Sequence, residues 1–313
     1  MLRIATERQK SLVDWKPGEA LGTEEICWLD LQQPTDEELG TVARLTGVPA
    51  SLLAVAADTR TSIQSDAENG WLLLVTRAID CSNGGCKPQH LGLLVNQRFL
   101  VSIHESDLPE TAEVCHEWEL EPTSGAPSLL YYLLDALLDR LFPMLDDIED
   151  RLYETEEAVV SGKMQSTILQ NILLTGRQLL AMRKVGGALR ETANAVLRRT
   201  PQQEERWARF QEVYDHASRV VDISEMLHEV LSNSIDAHLA TVSNQLNSVM
   251  KTLTIWATIL MTVSLISGIF GMNFAFPGLI KDQSLRGFWI VMGAIGASVL
   301  ALLYLFRRMR YLG

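Results

Sequence analysis

The sequence predicts an α+β membrane protein. An N-terminal α/β cytoplasmic domain leads into a long helical stalk, and the stalk continues into the first of two transmembrane helices. Three observations predict this. First, no glycine or proline stands between Pro201 and Gly268; as one helix, that run of about 66 residues would measure roughly 100 Å. Second, charge stops at Lys251. Ahead of it stand Glu204, Glu205, Arg206, Arg209, Glu212, Asp215 and Arg219, whereas Thr252 to Phe270 and a later stretch, Phe288 to Phe306, carry no charge. Each of these two segments has about the 20 residues that a hydrocarbon core requires. Third, the first 120 or so residues alternate between strand-like and helix-like patterns before the chain turns wholly helical.

At 313 residues the chain can hold one or two soluble domains besides its membrane part. A net charge of −12 argues against nucleic acid as a partner, because phosphate binding needs a basic face. There is no GxGxxG, no P-loop and no Gx-Ser-xG, so neither an enzyme nor a cofactor is expected. Cys27, Cys81, Cys86 and Cys115 form no CxxC pair and read as buried or incidental thiols of a reducing compartment. The N-terminus lacks an apolar signal core, which places the first domain in the cytoplasm.

In chain order, Ile26 to Leu31 alternates as a strand. Pro34-Thr35-Asp36-Glu37-Glu38 reads as a capped helix start with acids in its first turn. Leu52 to Ala57 reads as a short helix. Trp71 to Ala78, His90 to Val95 and Arg98 to His104 read as a three-strand meander, with Ser82-Asn83-Gly84-Gly85 as its first turn. His104-Glu105 lacks the second histidine of HExxH, since position 108 is leucine. Pro122 to Pro127 marks a boundary. An acidic segment from Leu129 to about Ser161 and a basic one from Gln165 to Arg199 then suit an antiparallel hairpin. Asp146-Asp147-Ile148-Glu149-Asp150 reads first as a solvated helix face, with a hard-cation site as the alternative, and His216, His228 and His238 read as stalk surface. Lys251 before the first span and Arg307, Arg308 and Arg310 after the second place both termini in the cytoplasm of an inner or plasma membrane protein. The domains are thus 1–122 (α/β), 128–200 (hairpin), 201–251 (stalk), 252–273 (first span), 274–287 (outer connection), 288–306 (second span) and 307–313 (basic tail).

One stripe of the long helix stands apart. Asn247, Met250, Leu253, Ala257, Met261, Ser264 and Gly268 recur three or four residues apart, so they share a face. Small and polar side chains gain nothing from lipid. They serve either copies meeting around a water-filled axis or packing against the second span, where Gly293 and Ala297 have small-xxx-small spacing. Beyond the stripe, Gly271-Met272-Asn273 offers a turn, backbone carbonyls and an amide oxygen. Such neutral oxygen groups suit a divalent cation that keeps its water, as Mg²⁺ does.

The run Ser243-Asn244-Gln245-Leu246-Asn247 through Ser267-Gly268-Ile269-Phe270-Gly271-Met272-Asn273-Phe274 closely resembles the CorA magnesium channel family, the two-span group that carries the Gly-Met-Asn signature and includes zinc transporters. The resemblance covers residues 200–313 strongly and the N-terminal domain less so. It implies a funnel-shaped homopentamer in lipid whose first span lines the pore. Gly271, Met272 and Asn273 would form the outer selectivity ring and Asn247 an inner polar ring. Met250, Leu253 and Met261 would form the gate, and Gly268 a close-packing position, with Ala257 and Ser264 on the same pore face. Asp236 and Glu212 would be the stalk acids. The chain departs from the family pattern at Thr262, at Phe270 and in its outer connection, which carries Lys281 and Arg286. Near Leu53-Ala54 the family's regulatory acid is missing; the nearest acid is Asp58. The function implied is divalent-cation transport, Mg²⁺ first. A zinc transporter of the same build, perhaps proton-coupled, is the alternative, and a non-conducting membrane-anchored scaffold or sensor is the reading from another class.

Overall fold

The structure is a computed structural model that describes residues 1–15, 25–81, 85–121, 123–160, 166–271 and 285–309. It divides into two compact units, Met1–Ile235 and Asp236–Gly313. The first holds a seven-stranded mixed sheet of order β2-β1-β3-β7-β6-β5-β4. Its strands are β1 (Leu2–Thr6), β2 (Val13–Asp14), β3 (Cys27–Gln32), β4 (Gln64–Glu68), β5 (Trp71–Asp80), β6 (Lys87–Val95) and β7 (Phe99–His104). β5, β6 and β7 form the antiparallel meander, and β3 pairs parallel to β7, with Asp30 opposite Ser102 and Gln32 opposite His104.

Helices cover both faces of the sheet, which is why its strands read as continuous apolar runs. On one face, α1 (Asp36–Thr46) and α2 (Ala50–Ala57) cover Leu29, Leu31, Leu73, Val75, Leu94 and Val101. On the other lie α3 (Glu110–Leu120), α4 (Ala126–Asp139), α5 (Leu141–Val160), α6 (Ser166–Leu197) and the start of α7 (Glu205–Gly271). There Trp28, Leu74, Leu91, Leu93 and Leu100 join Trp118, Leu133, Leu189 and Phe210 in a single core. The cap expected at Thr35 is present as a reciprocal box with Glu38, and α1 ends on Gly47 at φ 71°, a left-handed residue that glycine adopts without cost. Gly92 is glycine for a different reason: a Cβ there would lie 2.1 Å from the Ala56 carbonyl oxygen, so α2 seats directly on β6.

Several expectations are refined or corrected. The acidic helical run is two helices, because Pro143 has no N–H to offer the Asp139 carbonyl and the helix restarts at Leu141. α5 and α6 meet through Ile148, Leu152, Ile172 and Leu179, with Arg151 donating to Gln178 at 3.1 Å. Cys81 and Cys86 are not free thiols. They form a disulfide, because the antiparallel register that sets Asp80 opposite Lys87 brings the next pair of residues to a Cα separation of 4.2 Å. Cys27 and Cys115 remain thiols. His216 is not simply stalk surface: it is half-buried, edge-on to Phe142 with ring centroids 6.0 Å apart, and its Nδ1 is buried.

The second unit carries the membrane-length segments. Two helices are long and apolar enough to cross a membrane, the C-terminal part of α7 and α8 (Leu285–Arg308), and almost none of either apolar window is buried within the chain. A soluble core hairpin would bury them. The turn at 82–84, the residues 272–284 and the tail from Arg310 lie outside the described residues.

Candidate functional site

α7 is uninterrupted because nothing from Glu205 to Ser267 breaks a helix, and its first glycine, Gly268, is tolerated within it. Exposure runs over most of its membrane-length part, with Trp256, Leu260 and Leu265 as bare as the stripe residues. Asn247, Met250, Leu253, Ala257, Met261, Ser264, Gly268 and Gly271 are all exposed, Met261 by 76%. Ile255 is 8% exposed and sits two residues from both Leu253 and Ala257, about half a turn from each. Around it Thr258, Ile259, Thr262, Val263 and Ile266 are half-buried. On α8, Val291, Ile295, Ser298, Val299 and Leu302 are half-buried and Phe306 buried, while Gly293 and Ala297 are exposed. The covered face of α7 is therefore the side away from the stripe, and the packing role open to Gly293 and Ala297 is not one they fill within the chain.

Hydrogen bonding sharpens the contrast. The hydroxyls of Thr254, Thr258 and Thr262 donate to the carbonyls four residues back at 2.8, 2.7 and 2.8 Å, so those positions need no outside partner. Among the described residues nothing partners the Asn247 amide or the Ser264 hydroxyl. Asp236 lies eleven residues before Asn247, about three turns, so it is in line with the stripe, and it is exposed. Gly271 closes α7, while Met272 and Asn273 lie outside the described residues.

Glu212 is elsewhere, in the first unit. With Glu113, Glu117, Asp135, Asp139 and Arg209 it lines a cavity of about 330 Å³ between α3, α4 and α7. Burial and then the charge of Asp139 push the Asp135 carboxyl up to about 6, and the same two causes raise Glu113. These acids repel more than they converge: among the described residues no group of three His, Cys, Asp or Glu is placed to hold a metal ion. The acidic run at 146–150 presents Asp146, Asp147 and Asp150 to solvent, as expected.

One polar cluster in the sheet has no counterpart in the sequence reading. Asp30, fully buried on β3, accepts from Arg3 Nη2 at 2.6 Å, Ser102 Oγ at 2.5 Å and His104 Nε2 at 3.0 Å. Ser102 in turn accepts from Trp28 Nε1 at 2.9 Å. His104 Nδ1 faces the Ser106 carbonyl at 2.6 Å, which can only accept, so with Asp30 ionised this geometry favours the imidazolium, which donates from both ring nitrogens. Its only sequence signal is an aspartate in the middle of an apolar strand. The hydrogen bonds of the cluster run among its own members and the Ser106 carbonyl, so it reads as structural.

Sheet, long helix and apolar spans together define a class: a two-span α+β membrane protein whose first span carries an exposed, partly polar face. Residues 23–308 match the family described as CorA-like Mg2+ transporter protein, and the chain belongs to that family. It is 34% identical over 189 residues to the cobalt/magnesium transport protein CorA of Thermotoga maritima, a match covering 60% of this chain and 53% of that one. The chain thus aligns with about half the length of that relative. To the protein of the same name from Methanocaldococcus jannaschii it is 25% identical over 314 residues, 97% of this chain and 98% of the other. The fold agrees with a solved structure described as the complete CorA magnesium transporter from Methanocaldococcus jannaschii, at a TM-score of 0.84, 23% identity and 98% coverage of each chain.

Proposed function

We propose that the chain is one subunit of a divalent-cation channel or transporter, with Mg²⁺ as its first substrate, conducting along the exposed stripe of α7. Copies arranged around an axis, five by family likeness, would turn Asn247, Met250, Leu253, Ala257, Met261, Ser264 and Gly268 toward water. Gly271, Met272 and Asn273 would then close the outer end as a ring of carbonyl and amide oxygens that holds a hydrated ion weakly enough to release it. Met250, Leu253 and Met261 supply an apolar constriction that gates by excluding water. Both termini lie in the cytoplasm in this reading. The observation that carries it is Asn247 and Ser264, exposed and without a partner among the described residues, on the side of α7 turned away from Ile255.

The test is Mg²⁺ uptake into proteoliposomes. Asn273→Ala is expected to change flux or ion preference by about tenfold or more; unchanged flux and preference would remove the ring from the reading. Lys281 and Arg286 in the outer connection favour a second reading, since a basic loop does little to concentrate Mg²⁺. In that reading Zn²⁺ is the substrate, and Zn²⁺ flux exceeds Mg²⁺ flux and responds to a pH gradient in the same assay. Absence of flux for every divalent cation in assembled oligomers would leave the scaffold.

A further inference from the structure

A cavity of about 390 Å³ lies in the first unit between the β4–β5 and β6–β7 turns, the end of α6 and the beginning of α7. Its size is that of a small-molecule site. Its floor is apolar and closed: Trp71, Leu130, Val196 and Phe210 line it, none more than 6% exposed. Its rim is polar, carrying Arg199 and Arg206 together with Glu68, Asn69, Asn96 and Gln97.

The charges there are not equivalent. Arg206 is already paired with Glu204. The Glu68 carboxylate, also at the cavity, accepts the Ser51 hydroxyl at 2.9 Å. Arg199 has only neutral partners among the described residues: the Ala195 carbonyl at 2.9 Å and, more distantly, the Ser65 hydroxyl at 3.5 Å. An arginine without a carboxylate, in a chain of net charge −12, stands over a pit lined by two aromatic rings. Water is poorly held by such a floor, and a bare inorganic anion would leave it unfilled. An apolar body bearing one anionic group satisfies both halves, the body filling the space above the apolar floor and the charge on the guanidinium.

We infer that this cavity binds a small organic monoanion, an aryl or alkyl carboxylate, sulfonate or phosphate ester, with Arg199 as the anion-holding residue. The bound molecule would tie the sheet turns to the joint between α6 and α7, a place from which the base of the long helix can be stabilised. The inference is independent of whether α7 conducts.

The experiment is isothermal titration of the full-length protein in detergent with sodium naphthalene-1-sulfonate, against sodium sulfate and neutral naphthalene-1-methanol. One saturable site per chain is expected for the sulfonate, with each partial probe at least about tenfold weaker. Arg199→Gln, an exposed position, should weaken the sulfonate by at least about tenfold, and Thr200→Trp, which fills the cavity but keeps the arginine, should abolish binding. No saturable binding, equal binding of sulfate or of the neutral alcohol, or unchanged affinity in both variants would overturn the inference. A measurement on the unsubstituted protein guards against misfolded variants. The sulfonate should slow phenylglyoxal modification of Arg199, read by peptide mass, and an unchanged rate there also overturns it.

Discussion

Asp30 shows how one residue can make the stability of this domain depend on pH from two sides. Burial alone would raise its carboxyl, but the hydrogen bonds from His104, Ser102 and Arg3 outweigh burial and hold it below the ordinary carboxylate range. Burial alone would likewise lower His104, but its bond to Asp30 and the charge of Asp30 outweigh that and raise it above its ordinary value. The histidine's contribution is complete below about pH 6.5, the unfolded value, and disappears as pH rises through the folded value. The aspartate's contribution is complete above about pH 3.9 and disappears as pH falls through its depressed value. Together they contribute most between about pH 4 and 6.5. Denaturation of the full-length protein followed by circular dichroism at a series of pH values should show stability from this cluster declining on the alkaline side. His104→Leu should remove that decline and cost about 3–5 kcal/mol at pH 6, because it leaves a buried carboxylate with one cation fewer. A variant as stable as the parent at pH 6 would mean that Arg3 alone satisfies Asp30.

At the scale of elements, the seating of α2 on β6 depends on a missing side chain. The Ala56 carbonyl approaches Gly92 more closely than any Cβ allows, and the same oxygen is 2.8 Å from His90 Nε2. Gly92→Ala must push α2 away or bend β6, and is expected to cost about 1–3 kcal/mol, measured as a lower denaturation midpoint. The helix and strand around this contact differ in how legible they were. The meander was readable because alternation is local, and α1 because Thr35 and Glu38 are three residues apart. β1 was not, since Leu2–Thr6 becomes a strand by pairing with β3 across an interval that sequence pattern does not span. α3 was hidden by its acids: Glu110 is buried because Arg140, thirty residues on, donates to it at 2.7 Å. The disulfide needed the β5–β6 register, which no test for CxxC spacing contains. The candidate site was legible for the opposite reason. Its stripe is a property of one helix, whereas the Asp30 cluster draws on residues 72 and 74 positions away.

For the molecule as a whole, the decisive quantity is what covers the stripe of α7. A single chain covers the other side of that helix and leaves Met261, Ser264 and Gly268 bare. Lipid gains little from the small and polar members of this face, and water on it requires a wall that one chain does not supply. In the proposed pore, copies of α7 would face one another around an axis, and that arrangement predicts which positions come close between chains. With Cys115 replaced by alanine, Ser264→Cys should cross-link to its copy in membranes under mild oxidation. Ile259→Cys, on the covered face, should not. Cys27 will not confuse the readout, because burial, ahead of nearby charges, pushes its thiol up to about 11 and leaves it protonated. Cross-linking at 259 in preference to 264 would turn the stripe toward lipid, and the proposed conduction path would then have no wall.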